Sequence, residues 1–306
     1  MKKRTFLHAA PTVLGACIRT LPRPKPLRFP AYTAVLAADL HTDADPWRDR
    51  TDVLRLALSG VTRTLGEVDA FVMAGDITNC GDEREYRLLW TLLRRYIRAK
   101  AVLPAMGNHD SWHHSDHPNH EIARRLFADL LKDCGHDPAH PYYRYSDRHC
   151  TYLVLGTEGL AHNGTRISPA QLEWFSRELL KAVKLDRTTV VVNHQPLADR
   201  NGGDESWEEE GQTEAGRRIE TLLAEAADAA AHPVVFVSGH RHQLSPKCVE
   251  RASDRLWFIN LPSFEYGGGE KHPGTAAILR FMPEDDTPRI SFYDFIRLRP
   301  VEPSEE

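Results

Sequence analysis

Residues 101–114 read AVLPAMGNHDSWHH: an apolar run that stops abruptly in a glycine, an amide, an imidazole and a carboxylate. The apolar half has the length and character of a buried strand, and Gly107 ends it. Asn and Asp are common turn formers, so a plain loop would account for part of this stretch. A loop alone gives no reason for His109 to sit between Asn108 and Asp110 at the end of a rigid strand. The rest of the chain decides between the two readings.

The same arrangement recurs along the sequence. Short apolar runs at Tyr32–Ala38, Ala70–Ala74, Thr151–Leu155, Thr189–Val192 and Val234–Val237 have the β-branched content of strands covered on both faces. Between them lie helical patterns. Leu54, Leu58, Val61 and Leu65 share one helical face, residues 83–98 and 120–132 are patterned similarly, and Ser168-Pro169-Ala170-Gln171 reads as a helix start. Strand–helix alternation predicts an α/β fold. Residues 256–261, 275–282 and 289–297 read as strands with no helix between them, which points to a mixed sheet or two packed sheets rather than a simple doubly wound one.

What leaves each strand is the informative part. Asp39-Leu40-His41 follows the first run and Gly75-Asp76 the second; Gly107-Asn108-His109-Asp110 follows the third. Asn193-His194 and Gly239-His240-Arg241-His242 follow the runs at 189 and 234, and only the run at 151 ends without an evident ligand, in Gly156-Thr157-Glu158. In open α/β folds ligands bind beyond the carboxyl ends of strands, where loops converge. Asp, His and Asn are the donors that divalent transition metals take. In an extended segment residues i and i+2 point the same way, so Asp39 and His41 can grip one ion together, and so can His240 and His242 if their segment is extended.

With these five blocks in this order, the chain resembles the calcineurin-like metallophosphoesterase superfamily, whose pattern runs D-x-H, G-D, G-N-H-[D/E], H, G-H-x-H. The resemblance covers residues 32 to about 260 and implies a two-sheet β-sandwich flanked by helices around a dinuclear centre. Carried over, Asp39, His41 and His242 hold one metal ion, and Asn108, His194 and His240 the other. Asp76 bridges both, and His109 is the catalytic imidazole outside the ligand set. Arg241 fills the variable slot and has no assigned role. The ligand set, free of thiolate, suits two divalent or trivalent transition metals, with manganese, iron or zinc expected. Such a pair can share a hydroxide that attacks phosphorus while the cations neutralise phosphate charge.

The expected activity is therefore hydrolysis of phosphodiesters or phosphomonoesters. The residues after Asp76, Ile77-Thr78-Asn79-Cys80-Gly81, lack the G-D-x-x-D-R-G extension of the protein-phosphatase branch. That favours the phosphodiesterase-like branch and small nucleotide or cyclic-nucleotide substrates. Gly156-Thr157-Glu158, and Asn193 in place of a second His, depart from the cyclic-nucleotide enzymes. The alternatives are a nuclease and a non-catalytic metal-binding scaffold. A net charge of −4 over 306 residues gives no electrostatic footprint for nucleic acid, and a scaffold reading would expect ligands to have been lost.

Several segments keep two readings. His113, His114, His117 and His120 form either a polar loop or, alternatively, a substrate-contacting lip or an accessory metal site. The acidic stretch ADRNGGDESWEEEGQ that begins at Ala198, and Pro262–Gly274 with Gly267, Gly268 and Gly269, are candidate walls of a substrate pocket. Five scattered cysteines without a CxxC pair suit reduced thiols and a cytoplasmic protein. Residues 1–30 form a basic, proline-rich extension, and the domain is expected over 31–300. The start of that extension, from Met1-Lys2-Lys3-Arg4 to Cys17, imitates an export or lipid-attachment signal, so membrane attachment is the less favoured alternative.

Overall fold

In the computed structural model, residues 30–45, 50–112, 119–160, 162–209, 211–265, 273–282 and 285–303 are described. The residue 1–30 extension up to position 29, His113, His114 and His117, and the triple glycine at 267–269 lie outside them. Twelve strands and six helices follow one another among the described residues. They are β1 (Tyr32–Ala37), α1 (Arg50–Leu65), β2 (Val68–Met73), α2 (Glu83–Tyr96), β3 (Ala99–Pro104), α3 (His120–Asp133), β4 (Tyr143–Ser146) and β5 (Cys150–Val154). Then come α4 (Pro169–Ala182), β6 (Thr188–Val192), α5 (Ser206–Glu209), α6 (Thr213–Ala229), β7 (Val234–Ser238), β8 (Val249–Ser253), β9 (Leu256–Asn260), β10 (Thr275–Met282), β11 (Asp285–Asp294) and β12 (Arg299–Val301).

The strands form two mixed sheets of six, in the orders β12-β11-β10-β1-β2-β3 and β4-β5-β6-β7-β9-β8. Strands β1, β2 and β3 run parallel, with β3 at one edge of its sheet, as do the inner strands β5, β6, β7 and β9. Antiparallel strands close the other edge of the first sheet and both edges of the second. This is the expected two-sheet α/β sandwich.

Period-two alternation explains the layers. In β6, Val190 and Val192 join the core shared with the first sheet, together with Tyr152, Val235 and Ile259. Val191 points the other way, into a second cluster with Phe175 and Leu179 of α4 and Ile219 and Leu223 of α6. Both faces of these strands are dry, which is why they read as unbroken apolar runs. Between the sheets the Tyr32 and Tyr152 hydroxyls lie 2.6 Å apart, so two buried polar groups satisfy each other.

Helix ends pin the strand exits. Ser168 caps α4 by accepting from the Gln171 amide at 3.1 Å, with Pro169 in the first turn, as the sequence indicates. The Gln171 side chain does something further: it accepts from Gly156 N at 3.0 Å and donates to Gly156 O at 2.8 Å, fixing the loop after β5. Asp82 and Glu85 form a reciprocal capping box at the start of α2. Three edge strands, β4, β8 and β12, and the helix α6 have no counterpart in the sequence reading.

Candidate metal centre

All five blocks reach one place. The extended β1 carries the chain into Asp39 and His41, whose amides donate to Gly75 O at 3.0 Å and Asp76 O at 2.9 Å. The exit of β3 folds into a 3-10 turn, His109–Ser111, and the His109 amide donates to Asp76 Oδ1 at 2.9 Å. The amide of Gly239 donates to His194 O at 2.8 Å, and that of His240 reaches Asp39 Oδ2 at 2.9 Å. Two of the glycines permit this proximity. A Cβ on Gly107 would stand 2.3 Å from Asp76 Oδ1, and one on Gly239 would stand 2.4 Å from Asp39 Oδ2.

Asp39 and His41 do share one ligand group, but neither i, i+2 pair is extended. Asp39, His41, Asp76, His240 and His242 all have left-handed backbone, with φ of +54°, +38°, +47°, +70° and +57°. For residues other than glycine each such conformation costs about 1–3 kcal/mol, and they gather where a site over-determines the backbone. The turns aim the side chains inward instead of alternation along a strand. They also part His240 from His242, which join different groups of potential ligands.

Three groups of side chains bring ligand atoms within 4.8 Å of one another: Asp39, His41 and His242; Asp76, His194 and His240; and His41, Asp76 and His109. Asp76 therefore belongs to the second group and stands beside the first. Its Oδ2 is 3.0 Å from His194 Nε2 and 3.9 Å from His41 Nε2. Asp39 Oδ1 is 3.0 Å from His242 Nε2, and His41 Nε2 is 3.1 Å from His242 Nε2. His109 Nε2 is 4.0 Å from Asp76 Oδ2.

Asn108 is buried among these groups with its amide engaged: Oδ1 accepts from Gln195 Nε2 at 3.1 Å and Nδ2 donates to His162 O at 3.0 Å. Sequence reasoning missed Gln195, which lies beside a single named histidine with no motif to mark it. It missed three more supports. The Asn79 carbonyl lies 2.7 Å from His109 Nδ1. The buried Asp110 carboxylate accepts from Gly107 N and Thr78 N at 2.9 Å and from Thr78 Oγ1 at 2.6 Å, tying two blocks together. Glu265 donates its amide to Asp39 O at 3.2 Å and meets Arg50 at 2.8 Å.

The residues fit a metal pair on three counts. His194 donates Nδ1–H to Ala74 O at 2.8 Å, which leaves Nε2 as a lone-pair donor facing the centre, the arrangement typical of metal-bound imidazoles. That Nε2 is buried without a hydrogen bond of acceptable direction, although Asp76 Oδ2 lies close. The electrostatics also call for positive charge. Burial works against ionised Asp76, yet His194 and His109 outweigh it and hold the carboxyl well below the usual range. Burial likewise opposes a charged His194, while Asp76 and Asp39 raise it to about 10. Burial, only partly countered by Asp76, drives His41 down to about 3, so it is a neutral donor. The two anionic carboxylates thus hold a proton on His194 that a bound cation would displace, freeing Nε2 as a ligand atom, and with the neutral His41 the dry cluster suits divalent cations.

Known proteins resemble this chain. The family model for calcineurin-like phosphoesterases matches residues 32–244. A protein of Rhodococcus erythropolis, named as a probable cyclic nucleotide phosphodiesterase, is 28% identical over 153 residues. That match covers 49% of this chain and 46% of the relative, so the chain aligns with less than half of it. Among solved structures, a dimetal phosphatase from Danio rerio superposes with a TM-score of 0.60 at 16% identity, covering 89% of this chain and 98% of that one. A purple acid phosphatase from yellow lupin seeds gives 0.61 at 11% identity, covering 89% and 52%. At such identities these two show a shared fold.

Proposed function

The chain belongs to the calcineurin-like phosphoesterase family, and on that footing we propose that it is a metal-dependent phosphoric ester hydrolase with a dinuclear centre. Small phosphodiesters, cyclic nucleotides among them, are the favoured substrates, with phosphomonoesters next. One observation carries the reading: two histidine–carboxylate groups drawn from four strand exits lie side by side, and a third, His41, Asp76 and His109, links them and brings in the fifth exit. Asp39, His41 and His242 would hold one ion, His194 and His240 the other with Asn108, and Asp76 both. A carboxylate suits the shared place because it has two oxygens. When bound, the pair supplies Lewis acidity toward a phosphoryl oxygen and activates a water nucleophile.

The chain's own contribution is placement and proton transfer. A carbonyl can only accept, so the Asn79 carbonyl keeps a proton on His109 Nδ1 and turns Nε2 toward the centre. When the ring carries a second proton on Nε2, it can deliver that proton to the oxygen of the departing alcohol and return to the neutral Nδ1–H form. Asp110 holds the backbone of both participating loops in register without facing the reacting atoms. The name of the Rhodococcus relative and the missing protein-phosphatase extension after Asp76 support diesters over phosphoproteins.

A substrate panel on manganese-loaded protein tests the proposal: aryl monoester, aryl diester, cyclic nucleotides, DNA and a phosphopeptide. The expected result is the highest kcat/KM on the diester or cyclic nucleotides. A clear preference for the phosphopeptide overturns the substrate class, and preference for DNA makes the protein a nuclease. No turnover of any member, with metal bound, leaves a scaffold.

A further inference from the structure

Arg241 occupies the variable place in Gly-His-Arg-His, and the hydrolytic reaction gives it no part. In the fold it lines a cleft of about 720 Å³ that the candidate ligand His240 also lines. His240 and Arg241 line one side; Asp199, Asp204, Glu205 and Glu208, from the loop after His194, line the other. That loop turns through three consecutive left-handed residues, Asn201, Gly202 and Gly203, with φ of +54°, +101° and +87°. The turn points carbonyls toward Arg241, whose guanidinium donates to Asn201 O at 3.3 Å and to Gly203 O. From behind, Glu250 accepts from the Asn201 amide and from Arg200, both at 2.8 Å. Arg241 thus spends its hydrogen bonds on the wall of the cleft.

We propose that this cleft receives the organic group of the phosphoester, that Arg241 sets its shape as a specificity-determining residue, and that the group it takes is uncharged or bears an ammonium. The proposal rests on the phosphoesterase reading and adds the side on which the substrate extends. His240 is both a candidate ligand and a wall of the cleft, so a phosphate at the centre carries its substituent into that space. Four carboxylates face one guanidinium there. A second phosphate or a carboxylate would meet like charge, whereas hydroxyl or ammonium groups would meet acceptors.

The test uses the full chain loaded with Mn(II) and three 4-nitrophenyl phosphodiesters whose second alcohol is ethyl, 2-(trimethylammonio)ethyl or 2-carboxyethyl. At low salt kcat/KM should fall in the order ammonium, ethyl, carboxylate, with steps of roughly two- to fivefold, the scale of solvent-exposed charge pairs. In the double variant E205Q/E208Q, altered at exposed side chains, the spread should shrink. In R241M the KM for the uncharged ethyl ester should rise about tenfold, the scale of the lost charged hydrogen bonds that hold the wall, by more than kcat falls. Metal content should stay at the wild-type level. Preference for the carboxylate ester, an unchanged spread in E205Q/E208Q or an unchanged KM in a folded R241M overturns the inference. If wild-type protein hydrolyses none of the three, the phosphoesterase reading itself has failed.

Discussion

His109 and Asp76 touch the same centre but are held for different work. Asp76 is buried, lies 3.0 Å from His194 Nε2 and shares its surroundings with both candidate ligand groups. His109 packs edge-on to His41 at 4.6 Å and against Trp112 at 4.3 Å, with Nδ1 committed to the Asn79 carbonyl. Asp76→Ala is therefore expected to lose metal and activity together, read as metal content by mass spectrometry alongside turnover. His109→Ala should keep its metal and slow turnover by roughly 10²–10⁴-fold, less for good leaving groups that need little protonation. An emptied metal site in His109→Ala would make it a ligand instead. At this scale the motif residues were legible because chemistry restricts residue type at a ligand position. Gln195, Asn79 and Glu265 were not, since an amide, a main-chain carbonyl or a buried acid that supports a site can come from any sequence.

Among the elements, α2 carries the clearest titration. The Glu85 carboxylate accepts from Cys80 N at 2.8 Å and Asp82 N at 3.2 Å, holding the loop that follows Asp76 onto the helix. Burial, its largest influence, raises it from the ordinary 4.5 to about 7 despite those two bonds. The folded state then binds more protons than the unfolded chain between these values, so stability falls as pH rises from about 4.5 to about 7 and levels off above. The full effect is on the order of 3 kcal/mol. Gln at position 85 can accept from the same amides without the charge, so in E85Q the stability difference between pH 5 and pH 7.5 should shrink. Urea unfolding at the two pH values measures this, and an undiminished difference would assign the slope to other groups. The capping box itself is a sequence-level signature; its shifted acid is visible only once burial is known. Edge strands were harder to read for a related reason. In β8 three of five side chains are exposed, and β12 is the tripeptide Arg-Pro-Val, with a proline that only an edge accommodates.

Taken whole, the molecule is two sheets whose parallel strands deliver their carboxyl ends to one rim. The central strands announced themselves because both faces are buried, while α6 went unrecognised among its alanines and charges. The left-handed turns at five candidate ligands were invisible in sequence, since Asp and His carry no mark of the backbone region they will adopt. Among the described residues no helix is long and apolar enough to cross a membrane. The central claim is that this rim binds two metal ions and hydrolyses phosphoesters only with them. Its most direct test is the rate of aryl phosphodiester hydrolysis as Mn(II) is titrated into chelator-stripped protein. The account predicts no turnover without metal and a rate that saturates at two ions bound per chain; full activity in the stripped protein, with no metal detected, would contradict it.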